Sequence, residues 1–132
     1  MGIWARVEGN LTNNPESKFV VSDGENRQIV ELCVFQDVSK LVNDEWVQDD
    51  DKSGPVYVTV WKEKLGEGVL EHFKTGARVV VEGDMHMHRY TDKEGVQQAS
   101  LRVGSADSVA LLPYRIAQIK FAPKRQREET PA

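Results

Sequence analysis

The chain has 132 residues, 39 % of them hydrophobic, and a formal net charge of −4; that length suits one compact domain with a tail, since domains typically run to roughly 100–150 residues. No stretch comes near the ~20 apolar residues of a membrane-spanning helix, and Arg6 and Glu8 interrupt the N-terminal segment where a signal peptide would be continuously apolar, so neither insertion nor export is expected. The lone Cys33 excludes an internal disulfide and a cysteine-based zinc site, which fits a reducing cytoplasm, and its apolar neighbours mark it as a buried, inert thiol rather than a nucleophile. The charge is unevenly spread. Residues 114–132 hold five cations (Arg115, Lys120, Lys124, Arg125, Arg127) against Glu128 and Glu129, a net of +3, so the remainder carries −7. Much of that −7 sits in one run, where Asp44, Glu45, Asp49, Asp50 and Asp51 face only Lys52. The rest of the surface is therefore free to be locally basic, and the negative total does not exclude a polyanionic ligand.

In chain order, residues 2–9 alternate, with Ile3, Ala5 and Val7 on one face and Trp4, Arg6 and Glu8 on the other, which is the pattern of a half-buried strand. GNLTNNPES supplies a turn or loop. A short strand over 18–23 precedes a longer one over Gln28–Asp37, in which Val30, Leu32 and Val34 share one face and Ile29, Glu31, Cys33 and Phe35 the other. Residues 39–55 form a polar, acidic excursion ended by Gly54-Pro55, too charged for a buried strand. VYVTVW, residues 56–61, is β-branched and aromatic and predicts the next strand. From residue 63 the period changes: Leu65, Val69 and Phe73 fall four apart on one short helix, with Gly76 placed to cap its C-terminus. Gly66 and Gly68 weaken that helix intrinsically, so tertiary packing must hold it. Residues 77–90 return to alternation, Val79, Val81, Gly83, Met85 and Met87 against Arg78, Val80, Glu82, Asp84, His86, His88 and Tyr90. TDKEG (91–95) is a hairpin turn, and Gln97–Leu112 is the last strand, interrupted by a bulge at Gly104-Ser105. The order predicts an all-β fold, a five-stranded OB-type barrel with one short helix between strands three and four and an extended β-hairpin; a five-stranded sandwich is the alternative. Residues 1–113 form this domain and 114–132 a basic, flexible tail.

Several blocks, in the expected order over about residues 2–112, resemble bacterial-type single-stranded DNA-binding proteins, the SSB family. The first strand running into GNLTNNPE is similar to that family's opening strand and loop. VYVTVWKEKLGEGVLEHFKTGARVVVEGDMHMHRYTDKEG resembles its third strand, helix and hairpin, including Lys-x-Gly before the strand and Glu-Gly within it, and ADSVALL resembles its last strand. The resemblance implies an OB fold, sequence-independent binding of single-stranded DNA in replication, recombination or repair, a homo-oligomer (commonly a tetramer), and a cytoplasmic, nucleoid-associated location. Three features depart from it. The chain ends KRQREETPA, without the acidic tip through which family members recruit partners, so recruitment by that route is not expected. The loop before strand three is unusually acidic, and His86 and His88 stand where the family tends to present arginines.

Non-specific single-strand binding needs exposed rings on which bases stack and cations that track phosphates. Trp4 lies on the polar face of the first strand; packing against a loop or a neighbouring subunit is its alternative role. By resemblance Trp61 and Tyr90 align with stacking aromatics, Trp61 having the alternative of closing the core. Phe35 joins the same surface or packs inside, Tyr57 falls on either face, and Trp46, amid acids, is not assigned to DNA. The candidate cations are Arg6, Lys62, Arg78, Arg89, Lys93 and Arg102, together with His86 and His88, whose imidazoles would face phosphate or base edges. A metal reading of His86-x-His88 lacks further ligands beyond Asp84, so no metal or other cofactor is expected. Neither a glycine-rich phosphate loop nor a nucleophile elbow nor an HExxH motif occurs, which argues against an enzyme. The competing function is an OB accessory module whose main ligand is another protein of a replication-restart or conjugation complex.

Overall fold

Alternating valines lay down the core before any loop is considered. The computed structural model describes residues 2–114 and 116–123; much of the basic tail predicted over 114–132 therefore lies outside the described residues. The elements are β1 (Ile3–Leu11), β2 (Glu16–Ser22), β3 (Glu25–Gln36), β4 (Ser39–Val42), β5 (Glu45–Gln48), β6 (Gly54–Val60), α1 (Glu63–His72), β7 (Arg78–Thr91) and β8 (Gln97–Leu111). One sheet runs in the order β1-β7-β8-β6-β3-β2, and β1 returns to pair with β3 at Asn10↔Phe35 and Leu11↔Val34. Five strands, β1, β7, β8, β6 and β3, thus form a closed ring with no open seam between first and last. All pairings in it are antiparallel except β6–β8, which is parallel through Val56↔Leu101, Tyr57↔Arg102 and Val58↔Val103.

Inside the ring the valines meet in register. Leu32, Val58 and Val103 form one row across β3, β6 and β8, with Val34 and Val56 in the next. All five are buried, as are Val60, Val79, Val81 and Leu11. Burying a side chain of this size stabilises by about 1.5–3 kcal/mol, so this row set dominates the fold. Helix α1 covers one end of the ring through Val69, Leu65 and Leu70. Gly66 lies against the barrel wall, where an added Cβ would stand 2.9 Å from Val30 Cγ2; the glycine that weakens the helix locally is what lets it sit close.

Four expectations change in detail. The 39–55 excursion holds no buried strand, as its charge implies, but β4 and β5 pair within it as a small separate hairpin, every strand residue exposed, and Gly54-Pro55 opens β6 rather than ending a loop. Gly76 does not cap α1, whose C-cap is Phe73; with φ +88 it turns the chain into β7 and donates its N–H to the Leu11 carbonyl at 2.8 Å. Cys33 sits half-buried on the outer face of β3, opposite Tyr57, rather than in the core. The predicted interruption of the last strand is there at Gly104, and a second follows at Asp107: Glu82 pairs with Ser108 but Gly83 with Ala106, and Asp84 pairs with Ser105 but Met85 with Val103.

The seam where β1 meets β3 is tight. A Cβ at Gly9 would run into the Phe35 carbonyl oxygen, a backbone atom that cannot yield. Gly9→Ala is expected to lower stability in urea by about 1–3 kcal/mol or more. Gly68→Ala, where a Cβ meets nothing within 4 Å, is expected to raise it by up to about 1 kcal/mol through helix propensity. Equal effects of the two would refute the seam argument.

Candidate nucleic-acid interface

The bulges in β8 organise the outer surface. Each removes one residue of β8 from the ladder, and each is gripped from the segment that follows β6. The Trp61 indole N–H donates to the Gly104 carbonyl at 2.8 Å, and the Lys62 ammonium donates to both the carbonyl (3.2 Å) and the carboxylate (2.7 Å) of Asp107. Trp61 is thereby oriented with its ring still 37 % exposed. At the same bulge, an added Cβ on Gly104 would stand 2.9 Å from His86 Cε1, so the missing side chain is the space the imidazole occupies. His86 is the register partner of Arg102, and Arg102 of Tyr57 on the other side. The Arg102 guanidinium lies over the Tyr57 ring, 5.5 Å from its centroid, within cation–π range.

Further along the β7–β8 arm, His88 and Tyr90 stack, ring centroids 6.0 Å apart and planes 20° apart. Even-numbered residues of β7 share a face, so the arm continues the surface begun at His86. From His86 to Tyr90 is about 13 Å at the ~3.3 Å rise of a strand. Trp61, His86, Arg102, Tyr57, His88 and Tyr90 thus form one stripe of aromatic rings, two imidazoles and a guanidinium, with Tyr57 43 % and Tyr90 45 % exposed. A cleft of about 320 Å³ opens beside Tyr57 and Arg102, walled by Asn13, Asn14 and Glu31, and a second of about 400 Å³ lies at Arg89, Tyr90 and Gln98. The hairpin tip is fixed by Asp92, whose carboxylate accepts the N–H groups of Val96 and Glu94, both at 2.9 Å, and the Gln98 amide at 3.2 Å. The bond from Val96, foremost among these, holds that carboxyl below its ordinary range. Its contribution to the turn is therefore present above the unfolded carboxylate range and fades as pH falls through the lowered value.

The remaining predicted residues are distributed around this stripe. Trp4 is exposed and pairs with Asp84, one step along the outer face from His86, so it flanks the stripe on the β1 side. Arg6 stands opposite Glu82, 3.9 Å from its carboxylate. Phe35 is half-buried on β3 opposite Pro55, at the margin. Arg89 is exposed on the other face of β7, and Lys93 is exposed at the tip. Among the described residues, no carboxylate is within 4.0 Å of the charged groups of Arg89, Lys93 or Arg102. No group of three or more His, Cys, Asp or Glu able to hold a metal occurs among them either. Arg78 stands apart: at the far end of β7 its guanidinium is only 24 % exposed and is bound by Glu8 at 2.9 Å and Asp37 at 3.0 Å. The hydrogen bond to Glu8, against the cost of burial and with help from Asp37, raises its pKa above the ordinary value. Tyr57 is the member that sequence left undecided. Its position follows from the VYVTV alternation once Val56, Val58 and Val60 are known to face inward.

Residues 5–112 match the family model described as the single-strand binding protein family. The chain belongs to that family. It is 30 % identical over 92 residues to single-stranded DNA-binding protein 2 of Streptomyces coelicolor, an alignment covering 70 % of this chain and 44 % of that protein, so the chain spans less than half the length of its curated relative. The crystal structure of the small single-stranded DNA-binding protein from Streptomyces coelicolor superposes with a TM-score of 0.66 at 16 % identity, covering 83 % of this chain and 94 % of the other. The solved structure of the Plasmodium falciparum SSB complex with ssDNA gives 0.61 at 12 % identity, with coverage of 85 % and 95 %. At such identities the likeness speaks for the fold, and the fold is the OB fold of SSB proteins.

Within this SSB fold, Arg78 ties β1, β3 and β7 together rather than facing the stripe. Arg78→Met is expected to cost about 1–3 kcal/mol of stability, the usual penalty for stranding charged hydrogen-bond partners, while leaving affinity for oligo(dT) unchanged. Loss of affinity at unchanged stability would return Arg78 to the binding surface.

Proposed function

We propose that this SSB-family chain binds single-stranded DNA without sequence preference, as a homo-oligomer whose expected form is a tetramer, and protects exposed strands rather than reacting with them. The supporting observation is the single stripe on which Trp61, Tyr57 and Tyr90 alternate with Arg102, His86 and His88. Every base has a π-face, so stacking on such rings is sequence-tolerant, while the Arg102 guanidinium meets phosphate and the imidazoles offer it hydrogen bonds. Trp4 extends the stripe at one edge, and Arg89 and Lys93 supply further phosphate contacts along the arm, while Phe35, Arg6 and Lys62 contribute at the margins. Residues 1–113 act as the binding unit and 114–132 as its tail. Among the described residues no helix is long and apolar enough to cross a membrane, and the role fits a cytoplasmic, nucleoid-associated protein.

The direct test is titration with oligo(dT) of increasing length at two salt concentrations, following tryptophan emission. Binding quenches Trp61, and affinity falls linearly in logarithm with added salt. Tyr90→Ala and Tyr57→Ala are each expected to weaken binding by about 1–3 kcal/mol, roughly 5- to 150-fold. Arg102→Ala is expected to weaken it and reduce the salt slope by about one charge. Absence of both quenching and a gel shift would point instead to the competing reading, an OB module whose ligand is another protein.

His86 and His88 add a pH dependence. A protonated imidazole on the stripe favours phosphate and a neutral one does not. Affinity at fixed salt is expected to rise as pH falls from about 8 to 6, and His86→Gln with His88→Gln to flatten that rise. A wild-type curve flat across the range would remove the imidazoles from the binding surface.

A further inference from the structure

The β4–β5 hairpin takes no part in the stripe. Its strands pair only with each other, and Leu41 is the cross-strand neighbour of Trp46. A two-stranded hairpin by itself is marginally stable in water, yet here the apolar pair faces outward, Trp46 73 % and Leu41 56 % exposed. The root, by contrast, is firmly fixed. The buried Asp49 donates its N–H to the Val38 carbonyl at 2.7 Å and accepts the Asp51 N–H on its carboxylate at 3.1 Å, while the Ser53 hydroxyl accepts the Val38 N–H at 2.8 Å. A fixed root carrying an uncovered Trp–Leu face marks an interaction surface. Its charge restricts the occupant: residues 39–51 hold five carboxylates against Lys40, a net of −4.

The complement lies in the same chain. Residues 114–127 carry five cations and no acid, interleaved with Tyr114, Ile116, Ile119 and Phe121. Ile119 and Phe121 are themselves exposed, 60 % and 81 %. The roots of the two segments meet at one residue. Leu112 donates its N–H to the Arg78 carbonyl at 2.8 Å, and the Arg78 guanidinium reaches Asp37, just ahead of β4, at 3.0 Å. Extended chain covers about 3.3–3.6 Å per residue, so the stretch from Leu112 to Phe121 reaches about 30 Å. A four-residue strand rises only about 13 Å, so the hairpin face is within reach of its own tail.

We propose that the basic, aromatic segment 114–127 docks on the acidic Leu41–Trp46 face of the β4–β5 hairpin in its own chain. The contact pairs apolar with apolar and cation with carboxylate, and while it lasts it keeps five cations away from phosphate. It does not depend on the stripe being a DNA interface.

The test uses the full chain and the indole N–H resonances of its three tryptophans, that of Trp46 identified by its loss in Trp46→Phe. Reversing the segment's charge (Lys120→Glu, Lys124→Glu, Arg125→Glu) is expected to move the Trp46 resonance and leave those of Trp4 and Trp61 in place, which also reports an intact fold. Reversing the hairpin (Glu45→Lys, Asp50→Lys) moves it likewise, and combining both sets restores its original position. A Trp46 resonance indifferent to the tail reversal, or not restored by the combination, overturns the proposal. So does a resonance that shifts on dilution, which would place the segment on a neighbouring copy, or one that answers to oligo(dT) alone, which would give the face to DNA.

Discussion

One strand has to serve two structures. β8 pairs with β6 through Leu101, Arg102 and Val103 and with β7 from Gln97 to Leu111, both in the ring and along an arm that runs beyond it. The bulges at Gly104 and Asp107 bend and twist the strand locally. Each leaves backbone and side-chain groups out of the ladder, and Trp61 and Lys62 bond to them. The device that shapes the scaffold is therefore the same one that orients the first ring and cation of the outer surface. His86 depends on it too, since its imidazole lies in the space left by the absent side chain at position 104.

Core and surface divide the chemistry between them. The interior rows are almost entirely valine and leucine, stiff residues that suit a pleated sheet and carry no group needing a partner. Tryptophan and tyrosine are absent from the buried core and stand on the outer faces of β1, β5, β6 and β7 or just beyond β6 and β8. Large rings left in water by a fold that has adequate aliphatic filling mark a surface built to meet something flat or apolar. The stripe and the acidic hairpin are two such surfaces, one carrying Arg102 with two imidazoles and the other a run of carboxylates.

Period-two patterning made the ring legible. Alternation puts Val30, Leu32 and Val34 on one face, and Val79 with Val81 on one face, and the structure shows those faces to be the inner ones. The turn at Gly95 and the interruption at Gly104 were legible because glycine has few other uses in such places. What alternation misses is contact between distant segments. Asp107 carries no local mark of a bulge, and Arg78 reads like any surface cation until Glu8 and Asp37 are brought to it by ring closure. Gly76 looked like a helix cap because it follows the helix, but its positive φ serves the turn into β7. The small hairpin is hidden by composition: its strands are exposed on both faces, so no alternation of apolar and polar residues marks them.

The parallel pairing of β6 with β8 bears on how the molecule reaches this state. Val58 cannot meet Val103 until the helix and the whole of β7 lie between them, and the arm supplies only local pairings in the meantime. Distant pairings are slow because loop-closure entropy is lost before they stabilise anything. During synthesis the valines of β3 and β6 thus remain open to solvent until the last strand has emerged, a period in which sticky strand edges are most vulnerable to misassembly.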